Sequence, residues 1–97
     1  MTFSEEQSLR IDHDSVVSRP AEDGGGGVVL FELSTTTYLT LNGSARVLWE
    51  RLADGASPVD LAEVLVSHYG ISDRQARADT ASFLATLDER GLVVASD

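Results

Sequence analysis

Side chains able to do chemistry are few and scattered in this chain. Cysteine is absent and the two histidines, His13 and His68, lie far apart. Disulfides, thiolate ligands and a cysteine nucleophile are therefore excluded. Asp12-His13-Asp14 offers ligand-type side chains. Neighbours on a strand point to opposite faces, however, so His13 cannot share a site with both aspartates without distortion. Two dispersed histidines match no metal-ligand spacing, and no metal is expected. His68 falls near a helix end, where a cation is favoured. The run Gly24 to Gly27 suggests a phosphate cradle, but such a loop needs a helix N-terminus directly after it, bearing Lys and Ser/Thr. Here a strand pattern follows, so the run reads as a flexible hairpin loop. Serines and threonines are plentiful, but they stand at caps and turns, and no nucleophile–base pair is visible. The chain reads as non-catalytic, with no cofactor.

The elements that would position any site follow from periodicity. Leu9 to Arg19 is a broken strand whose apolar members are Ile11, Val16 and Val17. Val28 to Leu33 is rich in β-branched and apolar residues and reads as a second strand. Thr37 to Leu41 alternates, with Leu39 and Leu41 on one face and Tyr38 and Thr40 on the other. The short Ser34-Thr35-Thr36 connection makes the last two strands a hairpin. Helical spacing then begins at Asn42, a good N-cap, with Ala45, Leu48, Trp49 and Leu52 on one face and Asp54-Gly55 as the stop. Ser57-Pro58 opens a second helix with Leu61, Val64, Leu65 and His68 inward, ended by Gly70. Ser72 and Gln75 form a capping-box pattern for a third helix. Its stripe is Ala76, Thr80, Phe83, Leu84 and Leu87; Gly91 closes it, and Leu92-Val93-Val94 packs back as a short extended end. Trp49, Tyr69 and Phe83 are expected in the core. The order, three strands and then three helices, is an α+β arrangement.

Composition narrows the partners. A chain of 97 residues supports one domain, and a 42 % hydrophobic fraction suits a globular one. Residues 1–8 are polar and expected to be a flexible N-terminus, leaving 9–97 as the single domain. The net charge is -9, from 16 acids against seven arginines and no lysine. Phosphate backbones repel such a surface, and the arginines stand singly, so nucleic acid is not an expected partner. No apolar run approaches the ~20 residues that span a bilayer, and the first residues lack the basic and apolar regions of a signal peptide. A cytoplasmic protein without a membrane partner is expected.

Two features invite a binding reading. Thr37 to Leu41 is the last strand of a small sheet, and a free edge can accept another chain. The third helix carries Asp79 and Thr80 beside Phe83 and Leu87. That stripe reads either as an ordinary core face with a solvated acid or as the wall of a cleft.

Tyr38-Leu39-Thr40-Leu41-Asn42-Gly43-Ser44-Ala45, then Leu48-Trp49-Glu50 and Asp54-Gly55, resembles the strand-to-helix segment of the PqqD-like family. The later run Ala76 to Thr80, Phe83-Leu84, Leu87 and Gly91-Leu92 resembles the same family. Together these cover about residues 28–94. The resemblance implies a winged-helix-like fold, a three-stranded antiparallel sheet followed by three helices. It also implies a peptide-recognition domain that binds the leader segment of a ribosomally made precursor peptide. In that family the leader adds as a strand beside the third strand, in a cleft walled by the third helix. Thr37, Tyr38, Leu39, Thr40 and Leu41 would then offer the edge, and Ala76, Asp79, Thr80, Phe83 and Leu87 would line the wall.

Size, acidity and the tryptophan of the first helix are most similar to the free-standing leader-binding proteins of lasso-peptide pathways. That implies a leader peptidase and a macrocyclase as partners. The PqqD-like chaperones of radical-SAM enzymes share the signature and form the alternative. A winged-helix nucleic-acid regulator is a further rival, opposed by the charge and by strands that precede the helices. The chain departs from the family at two positions. Thr36 stands where the family turn usually carries Gly, and a β-branched residue resists positive φ, so another turn type is expected. Thr80 replaces an aliphatic residue, either to face the cleft or to satisfy a backbone carbonyl.

Overall fold

Short apolar alternations, each cut by a turn signal, build two small sheets. The structure, a computed structural model, describes residues 3–21, 27–41 and 43–95. Most of the expected glycine loop and the expected cap Asn42 lie outside the described residues. The chain order is β1 (Leu9–Ile11), β2 (Val16–Pro20), β3 (Val28–Glu32), β4 (Thr37–Leu41), α1 (Ser44–Ala53), α2 (Pro58–Tyr69), α3 (Asp73–Glu89) and β5 (Val93–Ala95). The main sheet is antiparallel in the order β2-β3-β4, and β1 pairs with β5 in a separate two-stranded ribbon. The three-stranded antiparallel sheet followed by three helices matches the α+β expectation.

The broken stretch Leu9 to Arg19 is in fact two strands in two sheets. Asp12 makes the break. Its carboxylate accepts from the Asp14 amide at 3.2 Å and from the Ser15 hydroxyl at 2.9 Å, closing a tight Asx-type turn. Asp12-His13-Asp14 is thus a turn rather than a strand segment, and His13 is exposed. The extended end after α3 becomes β5, whose partner is β1, in register Leu9↔Ala95 and Ile11↔Val93.

The second hairpin is regular from Val28↔Leu41 to Glu32↔Thr37. Four residues, Leu33 to Thr36, connect it, and Thr36 has φ 51°. The expectation that a threonine would impose another turn type is corrected here. The paired strands leave the last loop residue in the left-handed region, and the side chain accommodates it. The Thr36 hydroxyl donates to the Thr35 carbonyl at 2.6 Å, and the Thr37 hydroxyl approaches the same oxygen at 3.2 Å.

At the N-terminus of α1, Gly43 takes φ 58°, ψ -134°, a region open to glycine, and no side chain caps the helix. Ser57 caps α2 and forms a full capping box with Asp60, with Pro58 following at the first helical position. Ser72 caps α3 by accepting from the Gln75 amide, but the Gln75 side chain turns away to Asp79.

The core lies between the inner face of the sheet and the helices. Leu9, Ile11, Leu30, Leu48, Leu52, Leu61, Leu65, Leu84, Leu87 and Leu92 are fully buried, and Trp49 is nearly so. Each such side chain contributes about 1.5–3 kcal/mol. On α2 the buried residues are Pro58, Leu61, Ala62 and Leu65. His68, expected inward, is exposed, and so is Tyr69 at 46 %; the two rings lie against each other, 5.3 Å apart, on the last turn. His68 corrects the expected inner face and Tyr69 the expected core, because the buried stripe of α2 ends one turn earlier, at Leu65. Among the described residues no helix is long and apolar enough to cross a membrane.

Candidate peptide-binding cleft

The sheet has two edges, and they differ chemically. The β2 edge ends in Arg19-Pro20, and proline has no amide to donate. β4 is Thr-Tyr-Leu-Thr-Leu, keeps every amide, and has no strand beyond it among the described residues. It is therefore the edge that keeps its full set of donors and acceptors unpaired by a further strand.

One ion pair orients α3 against this edge. Glu32 opposes Thr37 across the hairpin, and its carboxylate accepts from Arg90 Nη1 at 2.5 Å. Arg90 is the C-cap of α3. The end of α3 thus stands beside the start of β4, and the helix runs back along the strand. Asp79, eleven positions earlier, lies about 16 Å along the axis, at the Leu41 end.

Between strand and helix runs a groove of about 410 Å³, lined by Leu39, Leu41, Ser44, Ala45, Leu48, Asp79, Ser82, Phe83, Thr86 and Leu87. Five expected site residues meet here: Leu39 and Leu41 from the inner face of β4, and Asp79, Phe83 and Leu87 from α3. Phe83 is half-buried, packed on the core from one side and open to the groove on the other. Asp79 accepts from Gln75 Nε2 at 2.8 Å. The Thr86 hydroxyl donates to the Ser82 carbonyl at 3.1 Å.

The other expected residues lie elsewhere. Thr37, Tyr38 and Thr40 are exposed, Tyr38 at 70 %, and do not line the groove. Tyr38 belongs to the outer sheet face, where its ring meets Phe31 at 4.8 Å over a shallow apolar concavity with Val17, Val29, Arg19 and Pro20. Ala76 and Thr80 are fully buried and do not line the groove. Thr80 lines a separate cavity of about 90 Å³ beside α2, with Glu5, Pro58, Val59, Ala62 and Arg77. Its hydroxyl has no hydrogen-bond partner among the described residues, so it neither faces the cleft nor satisfies a backbone carbonyl.

Sequence reasoning missed Ser44, Ala45 and Leu48 from α1, and Ser82 and Thr86 from α3, as groove residues. The α3 pair was within reach, since 79, 82, 83 and 86 fall on one helical face. Among the described residues, no three His, Cys, Asp or Glu side chains gather where they could hold a metal.

The family model of Coenzyme PQQ synthesis protein D (PqqD) matches residues 27–93, from the start of β3 into β5. The chain belongs to the PqqD family. The matched segment contains both walls of the groove. Two solved structures are similar along nearly their whole length. One is TbiB1 in complex with the TbiA(beta) leader peptide, 28 % identical, with a TM-score of 0.76, covering 87 % of this chain and 93 % of that one. The other is a lasso peptide synthetase B1 complexed with the leader peptide, also 28 % identical, with a TM-score of 0.75, covering 94 % and 99 %. No curated protein matches the chain in sequence.

Proposed function

We propose that this protein is an adaptor that binds the leader segment of a ribosomally made precursor, of the lasso-peptide class, as an added strand on β4. The carrying observation is the unpaired β4 edge beside a groove to which Leu39 and Leu41 on the strand and Phe83 and Leu87 on α3 present apolar walls. Membership of the PqqD family and similarity to two leader-bound B1 proteins support it. Thr37 to Leu41 supply main-chain donors and acceptors whatever their side chains. In this reading the protein works in the cytoplasm, with no chemistry of its own. It delivers the leader to a leader peptidase and a macrocyclase by raising local concentration.

The energetics give the two parts different tasks. A five-residue strand exchanges a few main-chain hydrogen bonds, each worth about 0.5–1.5 kcal/mol net. Ordering the peptide costs about 1–2 kcal/mol per residue. The ladder alone roughly cancels. Apolar leader side chains in the groove supply the surplus, about 1.5–3 kcal/mol for each one fully buried. Three such anchors near the top of that range bring binding to the micromolar range, about -8 kcal/mol.

The test uses a leader peptide such as that of TbiA(beta), the ligand of the similar TbiB1. Replacing an apolar anchor by alanine and N-methylating a central peptide bond should each weaken binding, the second without altering a side chain. Amide shifts of the protein should change most along 37–41 and 79–87. A silent N-methyl scan, or shifts confined to α1 and α2, would exclude strand addition.

A further inference from the structure

Asp79 is the one charged residue lining the groove. It is half-buried, and its only hydrogen-bond partner among the described residues is the neutral Gln75 amide at 2.8 Å. Four of the seven arginines are committed to other groups: Arg46 to Glu50, Arg51 to the Gly55 carbonyl and Asp60, Arg77 to Glu5 and Asp73, and Arg90 to Glu32. Arg10 and Arg19 lie on β1 and β2, away from the groove, and Arg74 does not line it. Among the described residues no cation forms an ion pair with Asp79. A carboxylate so placed, partly shielded from water and bonded only to a neutral partner, favours a cation supplied by whatever fills the groove.

Spacing makes this specific. Asp79, Phe83 and Leu87 are successive one-turn steps along α3, about 6 Å apart. An extended peptide presents alternate side chains to one face every ~6.7 Å. The two repeats match, so one alternate residue of a strand on β4 falls opposite each of the three. From the Leu41 end the order is carboxylate, aromatic, aliphatic.

We propose that Asp79 is a specificity-determining residue that selects leaders carrying lysine or arginine two residues from an apolar anchor, in the pattern cation-x-apolar-x-apolar read from the Leu41 end of β4. On an antiparallel strand, the pairing used throughout this sheet, the cation lies on the N-terminal side of the anchors. The inference rests on the leader-binding reading above and sharpens it to a class of sequence.

The probe is a display library of random 15-residue peptides, selected on the wild-type protein, on Asp79→Asn and on Asp79→Lys, after thermal melts establish that all three fold. Wild type should enrich Lys or Arg at a fixed two-residue spacing from an apolar residue. Asp79→Asn should lose that preference while keeping the apolar ones, and Asp79→Lys should enrich Asp or Glu at the same position. In a selected peptide, replacing the lysine by norleucine should weaken binding to wild type by about ten-fold and leave binding to Asp79→Asn unchanged. Identical selections on all three proteins overturn the assignment of Asp79 but leave strand addition intact. Enrichment of basic residues at no fixed spacing also overturns it, because that is attraction to the acidic surface as a whole. Selected peptides that tolerate N-methylation at every position overturn strand addition, and the pattern falls with it.

Discussion

Arg90 and Glu32 are joined across 58 residues of sequence by a contact with one end buried and the other wet. Glu32 is 2 % exposed, on the inner face of β3, while the Arg90 side chain is 38 % exposed. Removing the arginine strands a carboxylate in the core. Arg90→Ala should cost about 2–3 kcal/mol, below the range for a fully buried pair because the guanidinium is partly solvated. Adding Glu32→Gln should recover much of that loss, since an amide is cheaper to bury than an unpaired charge. Urea denaturation of the two single variants and the double variant measures this; simple additivity would mean that the pair is not coupled.

Thr36 carries a backbone conformation that glycine adopts more readily. Thr36→Gly relieves the left-handed penalty but adds flexibility to the unfolded chain, and the two partly cancel. The variant should be more stable by up to about 1 kcal/mol, visible as a higher urea midpoint at unchanged slope. A loss of stability would mean that the Thr36 and Thr35 contacts outweigh the strain.

Thr80 is the reverse case, a polar group with nothing to bond. Its 2 % exposure and unpartnered hydroxyl place a desolvated oxygen on the core side of α3. Thr80→Val has nearly the same shape and removes that cost, about 1 kcal/mol. The melting temperature should rise and leader affinity should not change, because the residue lies outside the groove. A lower melting temperature would reveal water bridging the hydroxyl in the small cavity beside α2.

Asp60 introduces a pH dependence. The Ser57 amide, and then the Ser57 hydroxyl, hold its carboxyl below the usual carboxylate value; Arg51 adds to this and burial opposes it. A carboxyl depressed in the folded state stabilises above its unfolded value of about 3.9, and that contribution is lost as pH falls through the lower folded value. The effect is small, because 45 % of the side chain is exposed. The melting-temperature gap between wild type and Asp60→Ala should therefore be widest at about pH 6–7 and narrow toward about pH 3. A gap constant across that range would assign the cap no ionic part.

Much of this architecture was legible from local signals. The Ser57-Pro58 start, the Ser72 cap and the alternation of β4 are short-range patterns, and each appears where its physics places it. What escaped depended on distant partners. The split of Leu9 to Arg19 needs β5, which is 80 residues away or more in register, to claim the first half. The positive φ of Thr36 follows from the register of two strands rather than from threonine's own preference. In the cleft, the family resemblance pointed to Asp79, Phe83 and Leu87 for the wall, but the same set also contained Ala76 and Thr80, which do not line it. Telling the two apart requires knowing where α2 packs, which the periodicity of α3 alone does not reveal.

The β1–β5 ribbon has a consequence for the order of folding. Pairing Leu9 with Ala95 closes almost the whole described chain into a loop, held shut by three residue pairs and the bond from the Asp12 amide to the Leu92 carbonyl. Loop closure of that length is costly, and so short a ribbon offsets little of it until the helices beneath are in place. The ribbon should therefore form last, as a seam on an already collapsed body. Truncating Ile11 or Val93, both buried, should accelerate unfolding while leaving the refolding rate nearly unchanged. Kinetic lifetime and the earliest assembly of the cleft would then be governed by separate parts of one small domain.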